Sequence, residues 1–205
     1  MLKKTLLGLL IFVVILVTTA FFYFSAGEEV YPEGLEVGNN APTFTAMDQH
    51  GQLMNLESLR EKGPVVMIFY RGFWCPSCQK HLSMLQDSLH LVMEKGASVL
   101  AITPQKSEYT AQHVEKNSSS ISIIHDQGHK IMNQYDVAYQ MSKGSARLFN
   151  VLGTDLAQQN GDNTNTLPVP AVFIIGQDGR IKYASKKFGG LVPEYITVKE
   201  ILANL

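Results

Sequence analysis

Only two cysteines occur in 205 residues, which excludes a small domain stapled by several disulfides. Charge of one sign is also missing. Seventeen basic side chains stand against eighteen acidic ones, a formal net charge of -1, so the positive field that nucleic acid requires is absent. No internal repeat of useful length interrupts the chain, and repeat architectures are set aside with it. What is present is a composition 45% hydrophobic and 17% charged, enough for an ordinary packed core and unlike a disordered or collagenous chain.

The first thirty residues differ in kind from the rest. After Lys3 and Lys4, an uncharged run dominated by Leu, Ile, Val and Phe extends from Thr5 to Phe24. As a helix it rises about 30 Å, the thickness of a bilayer's hydrocarbon layer. The expectation is a membrane anchor over residues 1–29 built on one N-terminal transmembrane helix. A cleaved signal peptide is the alternative, because Thr18-Thr19-Ala20 and Ser25-Ala26-Gly27 offer small-residue cleavage sites. The anchor is favoured because the run exceeds a signal core of about 7 to 15 residues. Lys3 and Lys4 precede the run while Glu28 and Glu29 follow it, placing the N-terminus in the cytoplasm and the remainder outside, in the periplasm or at the cell surface if the source is bacterial. No cysteine directly follows the run, so lipoprotein-type attachment through a thiol is excluded.

Residues 30–40 carry Pro32, Gly34 and Gly38 without periodicity and read as a linker into a domain over 41–205. Thr43 to Met47 and Gln52 to Leu56 flank the turn signal Asp48-Gln49-His50-Gly51, a hairpin. The apolar run Val65 to Tyr70 predicts a strand buried on both faces. Leu82, Leu85, Leu89, Val92 and Met93 then recur at helical spacing up to Gly96, predicting one helix of four or five turns with Met84 and Met93 as core fillers. A strand at Ser98 to Thr103, a helix at Ser107 to Asn117 and a strand at Ile121 to Ile124 continue the alternation, which points to a parallel sheet covered by helices. Ala138 to Thr166 is the least legible stretch, with a helix around Ala146 to Leu152 and a surface loop from Gln158 to Thr166. Gln177-Asp178-Gly179 predicts a second hairpin between Ala171–Gly176 and Arg180–Ala184, and Val198 to Leu205 a closing helix.

Both cysteines fall in Trp74-Cys75-Pro76-Ser77-Cys78, between the apolar strand and the amphipathic helix. A sulfur at the first turn of a helix meets unpaired backbone N–H groups and the positive end of the dipole, which favour thiolate over thiol. Pro76 fits the first helical turn without loss of a needed donor, and Cys78 lies one turn on, within reach of Cys75. A purely structural disulfide over so short a loop constrains little of the unfolded chain. A closed zinc site lacks ligands, since His81 is near but no second cysteine pair exists. Covalent haem attachment fails because Gln79 follows Cys78. A redox-active dithiol is the favoured reading, with a metal or metallochaperone site and an inert pair as the alternatives.

Four stretches in order give the chain a family resemblance: Val37 to Phe44; Phe69 to Cys78; Ala101-Ile102-Thr103-Pro104; and Leu167 to Ile175 with Asp178-Gly179-Arg180-Ile181. Over roughly Leu35 to Leu205 the sequence resembles the thioredoxin-fold superfamily, most closely its peroxiredoxin-like AhpC/TSA family. The resemblance implies an α/β thioredoxin-like fold, a mixed central sheet flanked by helices. It implies an oxidoreductase in which Cys75 is the nucleophile and Cys78 the resolving thiol, with Trp74, Pro76 and Arg71 supporting them. It also implies a cis proline at Pro170, with Val169 offering its backbone to substrate. No cofactor is needed. The substrate is a peroxide or a protein disulfide, and an external dithiol resets the enzyme. One departure stands out. Peroxiredoxins resemble one another in a Pro-x-x-x-Thr/Ser-x-x-Cys element, and here Ile68 and Gly72 hold the places of its proline and hydroxyl residue.

The alternative of another class is a membrane-tethered copper metallochaperone of the same fold, with His125 and His129 as distant ligands. Such carriers resemble Cys-x-x-x-Cys, one residue longer than the spacing here. His50, His81, His90 and His113 receive no role.

Overall fold

A computed structural model describes residues 2–25, 29–117, 121–186 and 196–205. Helix α1 spans Leu2–Ser25. A short antiparallel pair follows, β1 (Thr45–Met47) and β2 (Leu53–Asn55), closed by Asp48, whose carboxylate accepts the N–H groups of His50 and Gln52, both at 2.9 Å. Helix α2 (Leu56–Lys62) is capped by Asn55, which accepts the Ser58 N–H. Strand β3 (Val65–Phe69) then enters the core.

Beyond β3 come α3 (Pro76–Gln86), α4 (Leu89–Glu94), β4 (Ser98–Thr103), α5 (Ser107–Asn117) and β5 (Ser122–His125). A 3-10 turn at Gln127–His129 leads into α6 (Lys130–Gln134), β6 (Ala138–Gln140), α7 (Lys143–Val151), α8 (Leu156–Asn160) and β7 (Thr166–Pro168). The chain closes with β8 (Ala171–Ile175), β9 (Ile181–Lys186) and α9 (Val198–Leu202).

Among the described residues the central sheet has five strands in the order β5-β4-β3-β8-β9. β3 runs parallel to β4 and antiparallel to β8, giving the mixed sheet of a thioredoxin-like fold. Because strand side chains alternate between faces, Val66 and Ile68 pack with α3 and α4 on one side. Val65, Met67 and Phe69 pack with Leu56, Met132 and Tyr135 on the other. Both faces are covered, which is why β3 is apolar throughout.

The expected long helix is two helices. The chain breaks at Asp87 and Ser88, where Ser88 leaves helical geometry (φ -123°, ψ 12°). The break keeps Leu82, Leu85, Leu89 and Val92 all buried against the sheet, and it turns Met84 and Met93 outward, so they are exposed and not core fillers. Part of the expected loop at 158–166 is also ordered structure. Asp155 caps α8 by accepting the Gln158 N–H, and Gly161 ends it in the left-handed region (φ 80°); Thr166 then opens β7, which pairs with β6.

Among the described residues no helix is long and apolar enough to cross a membrane. The transmembrane helix expected over 5–24 is therefore not carried by the structure; the described side chains of α1 are those of residues 5–21. Those side chains are exposed along their length.

Candidate active site

The site forms where β3 ends and α3 begins. Tyr70 continues the ladder, its N–H donating to the Ile102 carbonyl at 3.0 Å, and the chain then turns through Arg71-Gly72-Phe73-Trp74. Gly72 sits at φ 144°, and a Cβ there would lie 2.5 Å from Trp74 Nε1 and 3.2 Å from Gln105 Oε1. Only glycine lets the indole cross the backbone so closely. Gly72→Ala is therefore expected to displace Trp74 and cost about 1–3 kcal/mol in denaturant unfolding; an unchanged midpoint and slope would contradict the close packing.

Cys75 is the N-cap of α3, in extended geometry, and Pro76 is its exposed first residue. Cys78 belongs to the buried stripe that continues through His81, Leu82 and Leu85. The two sulfurs therefore differ in surroundings: Cys75 is 6% exposed, Cys78 1%. The thiol of Cys78 donates to Cys75 Sγ across 2.9 Å, and the Ser77 hydroxyl lies 3.1 Å from the same sulfur.

Electrostatics follow from this asymmetry. The hydrogen bond from Cys78 is the largest influence on Cys75, and with Ser77, the Cys78 backbone N–H and the charge of Arg71 it outweighs burial, holding Cys75 at about 6. The same bond, burial and the charge on Cys75 push Cys78 far above the ordinary thiol range. One sulfur is ionised at neutral pH, and the other keeps its proton.

Arg71 is 5% exposed, not a solvated strand-end cation. Its charge acts on both sulfurs and on the phenols of Tyr31 and Tyr139. Trp74 packs edge-on to Phe149 at 5.4 Å, against the small cluster that contains Tyr139 and Val169.

Several contributors were not visible in the sequence. Gln105, buried, accepts the Phe73 N–H at 2.8 Å and donates through Nε2 to Gln159 Oε1 at 2.6 Å. Gln79 donates to the Phe73 carbonyl. Two glutamines thus hold both backbone groups of the residue two before Cys75. The one sequence hint is that Gln105 directly follows the Ala101–Pro104 stretch. His113 stacks on Phe73 with ring centroids 3.6 Å apart, and His81 is buried with Nε2 3.1 Å from the Ile196 carbonyl.

Burial is the first cause holding His81 down at about 4, against the pull of the Ile196 carbonyl. A histidine kept neutral in the fold but free to protonate when unfolded costs stability as pH falls from about 6.5 towards 4. Denaturant titrations are expected to lose about 2 kcal/mol from this group between pH 6.5 and 5. His81→Gln should flatten that slope.

Two expectations need correction. The Val169–Pro170 peptide is trans, for no cis peptide occurs among the described residues. Val169 is also committed: its N–H donates to the Val137 carbonyl at 2.7 Å and its side chain is buried, so that donor is not offered to a substrate strand. Pro170 nonetheless lines the same small cleft as Tyr70 and His81.

The copper ligands do not assemble either. His129 Nε2 lies 3.3 Å from Asp162 Oδ2, and His125, at the end of β5, feels Asp126, His129 and Asp162 but neither cysteine. Among the described residues no three His, Cys, Asp or Glu side chains are grouped to hold a metal.

Comparison with known proteins agrees with this architecture. A thiol-disulfide oxidoreductase, ResA of Bacillus cereus, is 24% identical over 180 residues, 87% of this chain and 86% of that protein. Peroxiredoxin Bcp of Escherichia coli is 28% identical over 103 residues, 50% of this chain and 65% of that protein. The crystal structure of peroxidoxin BcpB from Mycobacterium tuberculosis superposes with a TM-score of 0.59 at 20% identity, covering 74% of this chain and 86% of that one, a likeness of fold. The AhpC/TSA family profile matches residues 37–184, well over half the sequence and the whole span from the first β-pair to β9. The chain therefore belongs to the AhpC/TSA family and is a thiol-dependent oxidoreductase.

Proposed function

We propose that the protein exchanges disulfides through Cys75 and Cys78. The observation that carries this reading is the polarised pair itself, an acidic Cys75 sulfur accepting from a proton-holding Cys78 at 2.9 Å. The Cys75 thiolate attacks one sulfur of a substrate disulfide, forming a mixed disulfide and expelling a thiolate. Once Cys75 is bonded to substrate, it no longer carries the charge that holds the Cys78 proton. Cys78 then gives up that proton and attacks Cys75 Sγ. The second substrate thiol leaves, the protein keeps the Cys75–Cys78 disulfide, and an external dithiol supplies the two electrons and two protons that restore it. Arg71 steadies the thiolate, while Trp74 and Pro76 shape the entrance.

Peroxide reduction is the second reading, favoured by the family. There the same thiolate attacks a peroxide oxygen, releases water or alcohol, and the resulting sulfenic acid condenses with Cys78. The absence of a hydroxyl three residues before Cys75, where Gly72 stands, ranks it second.

The localisation belongs to the same proposal and rests on the sequence: the uncharged run from Thr5 to Phe24 tethers the chain to a membrane with its N-terminus cytoplasmic and the catalytic domain outside. The exposed apolar side chains of α1 support this, as does the order of Lys3 and Lys4 before it and Glu28 and Glu29 after.

The deciding experiment presents reduced full-length protein with a protein disulfide, hydrogen peroxide and an organic hydroperoxide, following Cys75–Cys78 formation by mass. Faster oxidation by the protein disulfide is expected. Faster oxidation by either peroxide reverses the ranking, and no intramolecular bond with any of them ends both readings.

A further inference from the structure

Helix α7 carries an exposed apolar edge. Leu148, Val151 and Leu152 are 48%, 81% and 71% exposed, and they are neighbours at helical spacing. The exposed cations Lys143 and Arg147 border them. The opposite side of the helix is anchored, with Gly144 buried and Phe149 against Trp74.

The chain itself says what lies beside this edge. Ser142, the N-cap of α7, donates its N–H to Glu29 Oε1 at 2.9 Å, and Glu29 follows the last residue of α1, Ser25, by only four positions. Four residues span at most about 14 Å, so the start of α7 stays close to the end of α1 whatever the path between them. Phe21 of α1 also lines a groove of about 660 Å³ with Arg147, Leu148 and Val151 of α7. Asp155 borders the groove as well and accepts the Gln158 N–H at 3.1 Å.

We propose that α7 lies on the lipid surface at the exit of α1, with Leu148, Val151 and Leu152 in the acyl boundary and Lys143 and Arg147 against anionic headgroups. The proposal rests on the reading of α1 as a membrane tether. Continuity with the apolar α1 and the flanking cations favour lipid over a second copy or a soluble protein.

The test uses the full chain carrying Leu152→Trp, reconstituted into vesicles with brominated acyl chains, with and without anionic lipid. The emission added by the new indole is expected to fall about twofold or more, and Lys143→Glu with Arg147→Glu should relieve that quenching in the anionic vesicles. Hydrogen exchange of the unmodified chain supplies a second measurement: α7 amides should slow in vesicles relative to detergent. If the chain does not float with the vesicles, the tether itself fails. If it floats but the indole stays unquenched and α7 exchange is unchanged, the tether stands and the α7 proposal falls. Unquenched emission with a doubled particle mass assigns the edge to a second copy and likewise overturns it.

Discussion

Cys75→Ser is expected to lower turnover with any disulfide or peroxide by on the order of 10³-fold or more, because no other described side chain is placed to act as nucleophile. Cys78→Ser has a different signature. Attack by Cys75 still occurs, but nothing displaces the substrate, so one equivalent is consumed and a covalent adduct accumulates. Intact-mass spectrometry separates the two: no adduct for the first variant, a trapped mixed disulfide or sulfenic acid for the second. The contrast depends on the sulfurs being unlike, one at the helix N-cap and one on its buried stripe. If Cys78→Ser formed no adduct and Cys75→Ser did, the assignment of the two roles would be reversed.

The second large effect is on the pH at which the reduced enzyme becomes active. In the native protein, alkylation or substrate attack should rise through a midpoint of about 6 and level off above it, as Cys75 ionises. Since the hydrogen bond from Cys78 is the largest cause of that low value, Cys78→Ala should move the midpoint up towards the ordinary thiol value of 9. Reactivity at neutral pH would fall accordingly. Arg71→Met should move it in the same direction by less, because its charge is the smallest of the named contributions. Thiolate absorbance against pH reads both shifts directly. The same ionisation has a stability consequence for the dithiol form. Its contribution is full above the unfolded value near 9, shrinks as pH falls towards about 6, and is gone below it. Cys78, held protonated throughout that range, does not offset it.

The sheet was legible because its strands announce themselves: Val65 to Phe69 has no polar position to leave exposed, and Asp178-Gly179 marks the β8–β9 turn. The dithiol was legible for a related reason, since its chemistry depends on a spacing and a strand-to-helix junction that both lie within one short segment. Less accessible was whatever depends on residues distant in sequence. Nothing local distinguishes Gln105 from a solvated glutamine, yet it holds Phe73, thirty-two positions away. The break between α3 and α4 leaves the apolar stripe intact, so periodicity cannot register it. In the stretch around residues 138–168 the capping residues Ser142, Asp155 and Gly161 carried the information, but short helices and two three-residue strands offer too few turns for a period to emerge.

The strand that delivers the nucleophile has its two neighbours at very different distances along the chain. Val65 pairs with Ser98 on one side and with Ile175 on the other. As the polypeptide emerges during synthesis, Cys75 and Cys78 are therefore in the open long before β8 arrives to complete the walls around them. During that interval the pair has neither its burial nor its full field, and any oxidant it meets acts on ordinary thiols. A nascent chain that is oxidised early would reach its final shape already holding the internal bond, so its first encounter as a finished enzyme would be with a reductant.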